Sequence, residues 1–351
     1  MTDSDESTQG TERAPGGERA PGGERAPGGE RAPGGERAAY PMDGSTPAAA
    51  GFRAGFACLV GRPNAGKSTL TNALVGQKVA ITSSKPQTTR HTIRGICTSA
   101  DSQLVLVDTP GLHRPRTLLG QRLNDLVRET LLDVDVVGFC MPADQRVGPG
   151  DQFIAAELAE LRRVKRKPVV ALATKSDLVS RERLLSHLVA IDALGEWDAI
   201  VPCSATRGDQ VDEVCSVLVG LLPVSPPLYP DQVRTDEPDD VMIAELVREA
   251  ALEGVRDELP HSLAVVVEEI VPREVPEGHA PMLDVRVSVY VERDSQKAIV
   301  IGRGGSRLRD VGSTARAAIE TLLGSKVYLD LHVKVAKDWQ RDPKALSRLG
   351  F

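Results

Sequence analysis

The chain has 351 residues, a formal net charge of −6, 41% hydrophobic and only 3% aromatic side chains, which suits two domains with cores of their own. No run of about eighteen apolar residues is present, which excludes a spanning helix, and the acidic, polar start reads as no secretory leader. The five cysteines are scattered and include no CxxC pair, which excludes a disulfide framework and a cysteine zinc site and fits a reducing cytosol.

Residues 1–50 carry 10 of the 32 glycines and 6 of the 24 prolines, with ERAPGG repeated head to tail from Glu12. Such a stretch cannot bury enough apolar surface to offset its ordering entropy, so a disordered tail is predicted. Over 51–222, short apolar runs alternate with amphipathic stretches. The runs Phe56–Val60, Leu104–Val107, Val134–Met141, Pro168–Ala173 and Ala199–Cys203 read as strands buried on both faces. Between them Leu118–Leu132, Asp151–Arg163, Arg181–Leu194 and Gln210–Leu222 have helical spacing, which predicts a mostly parallel α/β sheet. Ile93–Thr98 and Gln103–Val107 flank a polar turn and read as a hairpin, so one edge strand is expected to be antiparallel.

Residues 223–240 are Pro-rich and then acidic, and are predicted to be a linker. Over 241–351 the expected order is helix Val241–Leu259, strands Leu263–Ile270 and Leu283–Glu292, a short helix at Ser295–Val300, a glycine turn, helix Ser306–Leu323 and strand Lys326–Ala336. That is a smaller α+β domain. Residues 290–351 hold twelve basic and seven acidic side chains, a local +5 in an acidic chain. This suits a polyanion partner or a solvated helix face.

Four strand ends carry chemistry. Gly61-Arg62-Pro63-Asn64-Ala65-Gly66-Lys67-Ser68 follows a predicted strand and precedes a helix starting at Thr69. The glycines let the backbone curl so that successive N–H groups face phosphate oxygens. Lys67 can then reach the β and γ phosphates, and the Ser68 hydroxyl can ligate Mg²⁺. Asp108-Thr109-Pro110-Gly111 ends the next strand. Asp108 would hold Mg²⁺ through water, the Gly111 N–H would sense the γ-phosphate, and Leu112 follows. At Thr174-Lys175-Ser176-Asp177, the Asp177 carboxylate can accept from both N1–H and N2–H₂ of guanine. Adenine offers neither donor and would leave a charge unpaired. Lys175 would lie along the base. A helix N-cap by Ser176 or Asp177 is the other use of this stretch. Ser204-Ala205-Thr206 would add the Ala205 N–H to the guanine O6.

These stations in this order resemble the translation-factor-like GTPases. Lys85-Pro86-Gln87-Thr88-Thr89-Arg90-His91 is similar to the first switch loop of their Era branch. There a threonine closes on Mg²⁺, matched here to Thr89 with Thr88 as the alternative. Val300-Ile301-Gly302-Arg303-Gly304-Gly305 resembles the GxxG turn of a type II KH domain, whose helix N-terminus faces a single strand of RNA. The stretches 333–339 and 346–351 look like the Era C-terminus.

The resemblance implies an α/β P-loop GTPase domain over 51–222 and a type II KH domain over 241–351. Its catalytic set would be Lys67, Thr89, Gly111 and Asn64, and its RNA-facing set Lys297, Gly302, Arg303, Gly304, Gly305, Arg307 and Arg309. It implies GTP or GDP with Mg²⁺ as cofactors, with K⁺ beside Asn64 as a further candidate. The implied partners are 16S ribosomal RNA near its 3′ end and the 30S subunit, and no DNA. The implied state is a cytoplasmic monomer that also associates peripherally with the inner face of the cell membrane.

Two departures stand out. Thr174 occupies a place where family members carry Asn, so looser nucleotide binding with guanine selectivity kept is expected. Leu112 stands where Ras-like proteins place a water-orienting Gln, as in the Era branch. Another GTPase of the same superclass, or an RNA chaperone with a degenerate nucleotide site, are the rival readings.

Overall fold

In a computed structural model, residues 51–83, 85, 88–113, 115, 117–253, 262–274 and 280–351 are described. The tail expected at 1–50 lies outside them, as do Pro86 and Gln87 of the switch loop and residues 254–259 of the helix expected to reach Leu259.

The first half builds a six-stranded sheet in the order β2-β3-β1-β4-β5-β6. Its strands are β1 (Arg53–Gly61), β2 (Ile93–Thr98), β3 (Ser102–Asp108), β4 (Val136–Pro142), β5 (Val169–Thr174) and β6 (Ala199–Pro202). Only β2 runs antiparallel, paired with β3 across the expected hairpin. β3 and β4 are buried at every position, which is why Leu104–Val107 and β4 read as unbroken apolar runs rather than as alternation.

Successive residues of β1 point to opposite faces. Ala57 and Leu59 pack under α1 (Lys67–Val75) and α5 (Val211–Gly220). Cys58 and Val60 pack under α2 (Leu118–Asp133), α3 (Pro149–Lys165) and α4 (Arg181–Asp192). The strand order reverses at β1, between β3 and β4, so a crevice opens beyond its carboxyl end. Open α/β sheets bind ligands there. The loop after β1 and the ends of β3 and β5 all meet at this edge.

Residues 223–240 do not span solvent as a linker. They are stitched along β2 and β3. The Gln103 side chain accepts from the N–H groups of Leu228 and Tyr229 at 2.7 and 2.8 Å and donates to the Tyr229 carbonyl at 2.8 Å. Arg94 pairs with Asp236 at 2.9 Å, the Tyr229 hydroxyl donates to the same carboxylate, and the Ile96 N–H donates to the Arg234 carbonyl. An edge strand presents unpaired backbone groups; here the Arg234 carbonyl and the Glu237 side chain accept from the Ile96 and Arg94 N–H groups of β2, and the prolines break periodicity without freeing the chain.

Next come α6 (Asp239–Leu252), β7 (Ala264–Arg273), β8 (Met282–Val291), α7 (Asp294–Ile301), α8 (Ser306–Leu323) and β9 (Lys326–Val335). α6 begins ahead of the expected Val241 because Asp239 and Asp240 sit in its first turn, where carboxylates complement the positive helix end. β7 and β8 are antiparallel, β8 and β9 parallel, and α6 and α8 bury one face of this sheet around Val247, Val287, Val311 and Ile319. The chain ends in a short turn of helix at Trp339–Arg341 and in α9 (Pro343–Arg348). Trp339, Leu346 and Leu349 there form a separate core with Leu119 and Leu123 of α2. Among the described residues no helix is long and apolar enough to cross a membrane.

Candidate functional site

The loop 61–66 curls because Asn64 (φ 62°) and Gly66 (φ 88°) take left-handed backbone. Alternation of that kind turns successive N–H groups into one concavity. α1 starts at Lys67 with no side-chain cap, so its first-turn N–H groups are available to an anion. Lys67 is buried and folds back over the loop, donating to the carbonyls of Arg62 at 3.3 Å and Gly61 at 3.5 Å. Burial lowers its pKa, opposed by the nearby Asp108 carboxylate. The Arg62 side chain turns away to Asp151 at 2.8 Å, and Asp151 also accepts from the Gly148 N–H at the start of α3. Arg62 therefore offers the loop its backbone only.

Beneath the loop lies a cluster of oxygens. Ser68 Oγ donates to Asp108 Oδ2 at 2.7 Å, Thr89 Oγ1 donates to the same oxygen at 3.0 Å, and the two hydroxyls are 2.9 Å apart. Asp108 Oδ1 is buried with no hydrogen-bond partner among the described residues. Burial raises the Asp108 pKa, with Lys67, Ser68 and Thr89 pulling it back down. Two hydroxyls and one under-satisfied carboxylate are the hard oxygen donors that Mg²⁺ takes beside substrate phosphates, so the residues present fit that ion. Thr88 is turned elsewhere, its hydroxyl donating to the Lys85 carbonyl at 2.7 Å. Of the two threonines, it is Thr89 that joins Ser68 and Asp108.

Thr109 is buried and donates to the Leu59 carbonyl at 2.8 Å, and Pro110 is buried beside it. Gly111 packs so tightly against the loop that a Cβ there would lie 2.7 Å from the Pro63 nitrogen. Leu112 donates its N–H to the Gly61 carbonyl at 3.2 Å, and its side chain, 2% exposed, sits in the core with Cys58 and Val60. It faces away from the phosphate loop.

A second cavity of about 270 Å³ is lined by Gly66, Thr69, Thr174, Lys175, Asp177 and Ala205, among others. Thr174 Oγ1 donates to the Ala65 carbonyl at 2.7 Å, tying this loop to the phosphate loop with one hydrogen bond. An Asn amide could donate and accept at once; the shorter hydroxyl supplies the single tie. Lys175 has left-handed backbone and its Nζ lies 3.6 Å from Asp144 Oδ2. Ser176 donates its N–H to the Cys203 carbonyl at 3.1 Å, and Ser204 Oγ accepts from the Arg207 N–H. Asp177 Oδ1 is buried and without a partner among the described residues. The capping alternative is not what the structure adopts: Ser180 is the N-cap of α4 and accepts from the Arg183 N–H.

At the other site α7 ends in Gly302 (φ 74°), where a Cβ would meet Arg307 Cβ at 2.7 Å. Gly304 and Gly305 are also left-handed, and α8 starts at Ser306. Arg303 and Arg309 are exposed and Lys297 half-buried. Arg307 is committed inward, donating to the Ala251 carbonyl at 3.1 Å and the Glu253 carbonyl at 2.7 Å at the end of α6. Ile299, 53% exposed, places an apolar side chain on α7 near the turn.

The sequence reading passed over residues of the second half that reach the switch loop. Arg248 donates to the Thr88 carbonyl, Glu249 accepts from Thr82, and Arg90 lies against the stacked rings of Trp339 and Phe351. The available signal was Arg90 itself, a bulky cation directly after the switch threonine.

Comparison with known proteins agrees in both halves. The model of the 50S ribosome-binding GTPase family matches residues 56–175, and that of the KH domain matches residues 258–340. GTPase Era of Streptomyces coelicolor is 64% identical over 310 residues, covering 87% of this chain and 97% of that protein. GTPase Era of Mycobacterium tuberculosis is 62% identical over 301 residues, covering 86% and 99%. Two crystal structures each superpose with a TM-score of 0.80 at 35% identity, covering 85% of this chain and 99% of theirs. One is Era in complex with MgGDPNP and nucleotides 1506–1542 of 16S ribosomal RNA. The other is a point variant of Aquifex aeolicus Era bound to GDP and AlF4⁻. The fold is thus a P-loop GTPase domain followed by a KH domain.

Proposed function

The chain belongs to the Era family of GTPases and hydrolyses GTP to GDP and phosphate, and we propose that it does so at the crevice beyond β1 as a switch that binds the 3′ end of 16S ribosomal RNA and assists 30S subunit assembly. The GTPase domain spans 51–222, the stitched segment 223–240 and the KH domain 241–351. The observation that carries this reading is the Ser68–Thr89–Asp108 cluster beneath the phosphate loop, with the buried Asp108 Oδ1 left for a ligand. The choice of RNA is supported by the relative crystallised with a 16S fragment.

The residues divide the work. The N–H groups of Asn64 and of Gly66 to Ser68, together with Lys67, would bind the β and γ phosphates; Ser68 and Thr89, with Asp108 through water, would hold Mg²⁺, which when bound neutralises charge building on the phosphate oxygens. The Gly111 N–H, pinned against Pro63, marks the γ-phosphate. A water oxygen attacks the γ-phosphorus in line, the bond to the bridging oxygen breaks, and GDP leaves with that electron pair. With Leu112 buried, its side chain cannot orient the attacking water, so intrinsic turnover is slow. Asp177 and the Ala205 N–H read guanine, while Thr174 holds their loop to the phosphate loop.

Asn64 is exposed on the loop that would face the phosphates. A monovalent cation held there would offset charge developing in the transition state. Turnover is expected to be faster in KCl than in NaCl, with Asn64→Ala removing the difference; equal wild-type rates in the two salts would exclude the K⁺ site. The experiment for the function as a whole is crosslinking of the full chain in cells, followed by sequencing of the bound RNA. Reads gathered at the 3′ end of 16S RNA are expected. Reads from transfer RNA, or GTP turnover no faster than in the absence of protein, would replace this reading by one of its rivals.

A further inference from the structure

Thr89 is held from both sides by the other half of the protein. The residue before it, Thr88, has its carbonyl gripped by Arg248 of α6. Arg248 is itself buried and locked by Glu245, with Nε donating to Oε1 at 3.0 Å. The residue after it, Arg90, is 1% exposed, donates to the Leu263 carbonyl at 2.6 Å, and lies 5.7 and 5.8 Å from the ring centres of Trp339 and Phe351. His91 stacks on Phe351 at 5.2 Å between centroids. Earlier in the same loop, Glu249 accepts from the Thr82 N–H at 2.9 Å and pairs with Lys78. The GTPase half supplies Thr89, Ser68 and Asp108; Arg248, Trp339 and Phe351 belong to the KH half.

We propose that Arg248 and the Trp339–Phe351 cradle for Arg90 are positioning residues for GTP hydrolysis, holding the switch loop so that Thr89 stands on the metal-binding oxygens before nucleotide arrives. The inference rests on the reading of Thr89 as the switch threonine. Ordering a loop costs conformational entropy residue by residue. A loop ordered beforehand leaves more binding energy for the γ-phosphate state and brings the reacting groups together with less reorganisation. The cradle discriminates between nucleotides because Thr89 serves only the metal and γ-phosphate. GDP gains little from it.

The test uses the full chain without RNA and compares Thr89→Ala, Arg248→Met, Arg248→Lys and Phe351→Ala. Each is measured for kcat, for KM, and for affinity to GDP and to a non-hydrolysable GTP analogue. Arg248→Met removes a charge-assisted hydrogen bond and is expected to weaken the GTP analogue roughly tenfold, with kcat falling in step and GDP affinity unchanged. Arg248→Lys keeps a donor and recovers part of the loss. Phe351→Ala removes one ring of the cradle while the Leu263 carbonyl and Trp339 still hold the Arg90 guanidinium, and it is expected to shift the GTP-to-GDP preference the same way by a few-fold. It decides the matter should Arg248→Met fail to fold. Equal weakening of GDP and GTP analogue in both variants, or an unchanged preference, overturns the positioning role. If Thr89→Ala itself leaves the preference intact, it is the switch-threonine reading that fails, and the inference goes with it.

Discussion

Replacing Asp177 by Asn is expected to move the enzyme from guanine to xanthine nucleotides. The wild-type carboxylate has a buried oxygen, Oδ1, without a partner among the described residues, in a cavity bounded by Thr174 and Ala205. Guanine fills that need with two donors. The Asn amide offers a donor where the base also offers one, whereas xanthine carries a carbonyl in place of the N2 amine. Two charge-assisted hydrogen bonds, each worth about 1.5–3 kcal/mol, are lost for GTP, so preference should swing by roughly 10²–10⁴-fold. Competition binding of GTP and XTP to wild type and variant measures it. Undiminished GTP preference in the variant would remove Asp177 from the base-reading role.

Replacing Arg303 and Gly304 together by Asp should abolish RNA binding while leaving the fold intact. Arg303 is exposed, and a Cβ at Gly304 meets nothing within 4 Å. Gly304 has φ 58°, a left-handed backbone that Asp tolerates better than most side chains. The cost falls on the ligand. Two carboxylates would face the sugar-phosphate backbone, and like-charge contacts cost several kcal/mol, on the order of 100-fold or more in affinity. The thermal midpoint and the affinity for a GTP analogue should stay at wild-type values. RNA affinity at fixed salt, measured by filter binding, is the check. Retention of affinity would place the RNA elsewhere than on the turn 302–305.

The nucleotide crevice was legible in the sequence because each of its parts is local. A phosphate loop is eight contiguous residues bent by their own backbone, and Asp108, Thr174 and Asp177 announce themselves at strand ends. The sheet was equally plain, since β4 and the Leu104–Val107 stretch of β3 are buried on both faces and so are unbroken apolar runs. What stayed hidden depends on pairs distant along the chain. Residues 223–240 look like a spacer by composition. Their attachment rests on Gln103 and Arg94, two unremarkable polar residues of a β-hairpin. Arg307 looks like a phosphate ligand by charge and position, yet it is spent on carbonyls at the end of α6. The contact of Arg248 with Thr88 spans 160 positions, and nothing near either residue signals the other. Thr88 and Thr89 could not be separated by spacing alone; only the fold shows which hydroxyl meets Ser68 and Asp108.

The packing revises how the two halves would communicate. A free linker would let the KH domain reorient as a whole, but the stitched segment and the core shared by α2 and the C-terminus oppose that. The connection instead runs through the switches. Arg90 follows Thr89 into the Trp339–Phe351 cradle, and Arg122 of α2 donates to the Phe351 carbonyl. On the proposed reading of Thr89 and Gly111 as the switch residues, GTP would act on the KH half directly. Linkage is reciprocal, so RNA must favour GTP by the same factor that GTP favours RNA, typically about 5–150-fold. Nucleotide state and RNA binding would then be one equilibrium. Its most direct measurement is the affinity of the full chain for the 3′ segment of 16S RNA, at one salt concentration, with GDP and with a non-hydrolysable GTP analogue. Tighter RNA binding in the GTP-analogue state, within that range, is the predicted result; identical affinity in the two states would contradict it, leaving a GTPase and an RNA-binding domain that share a chain without sharing a switch.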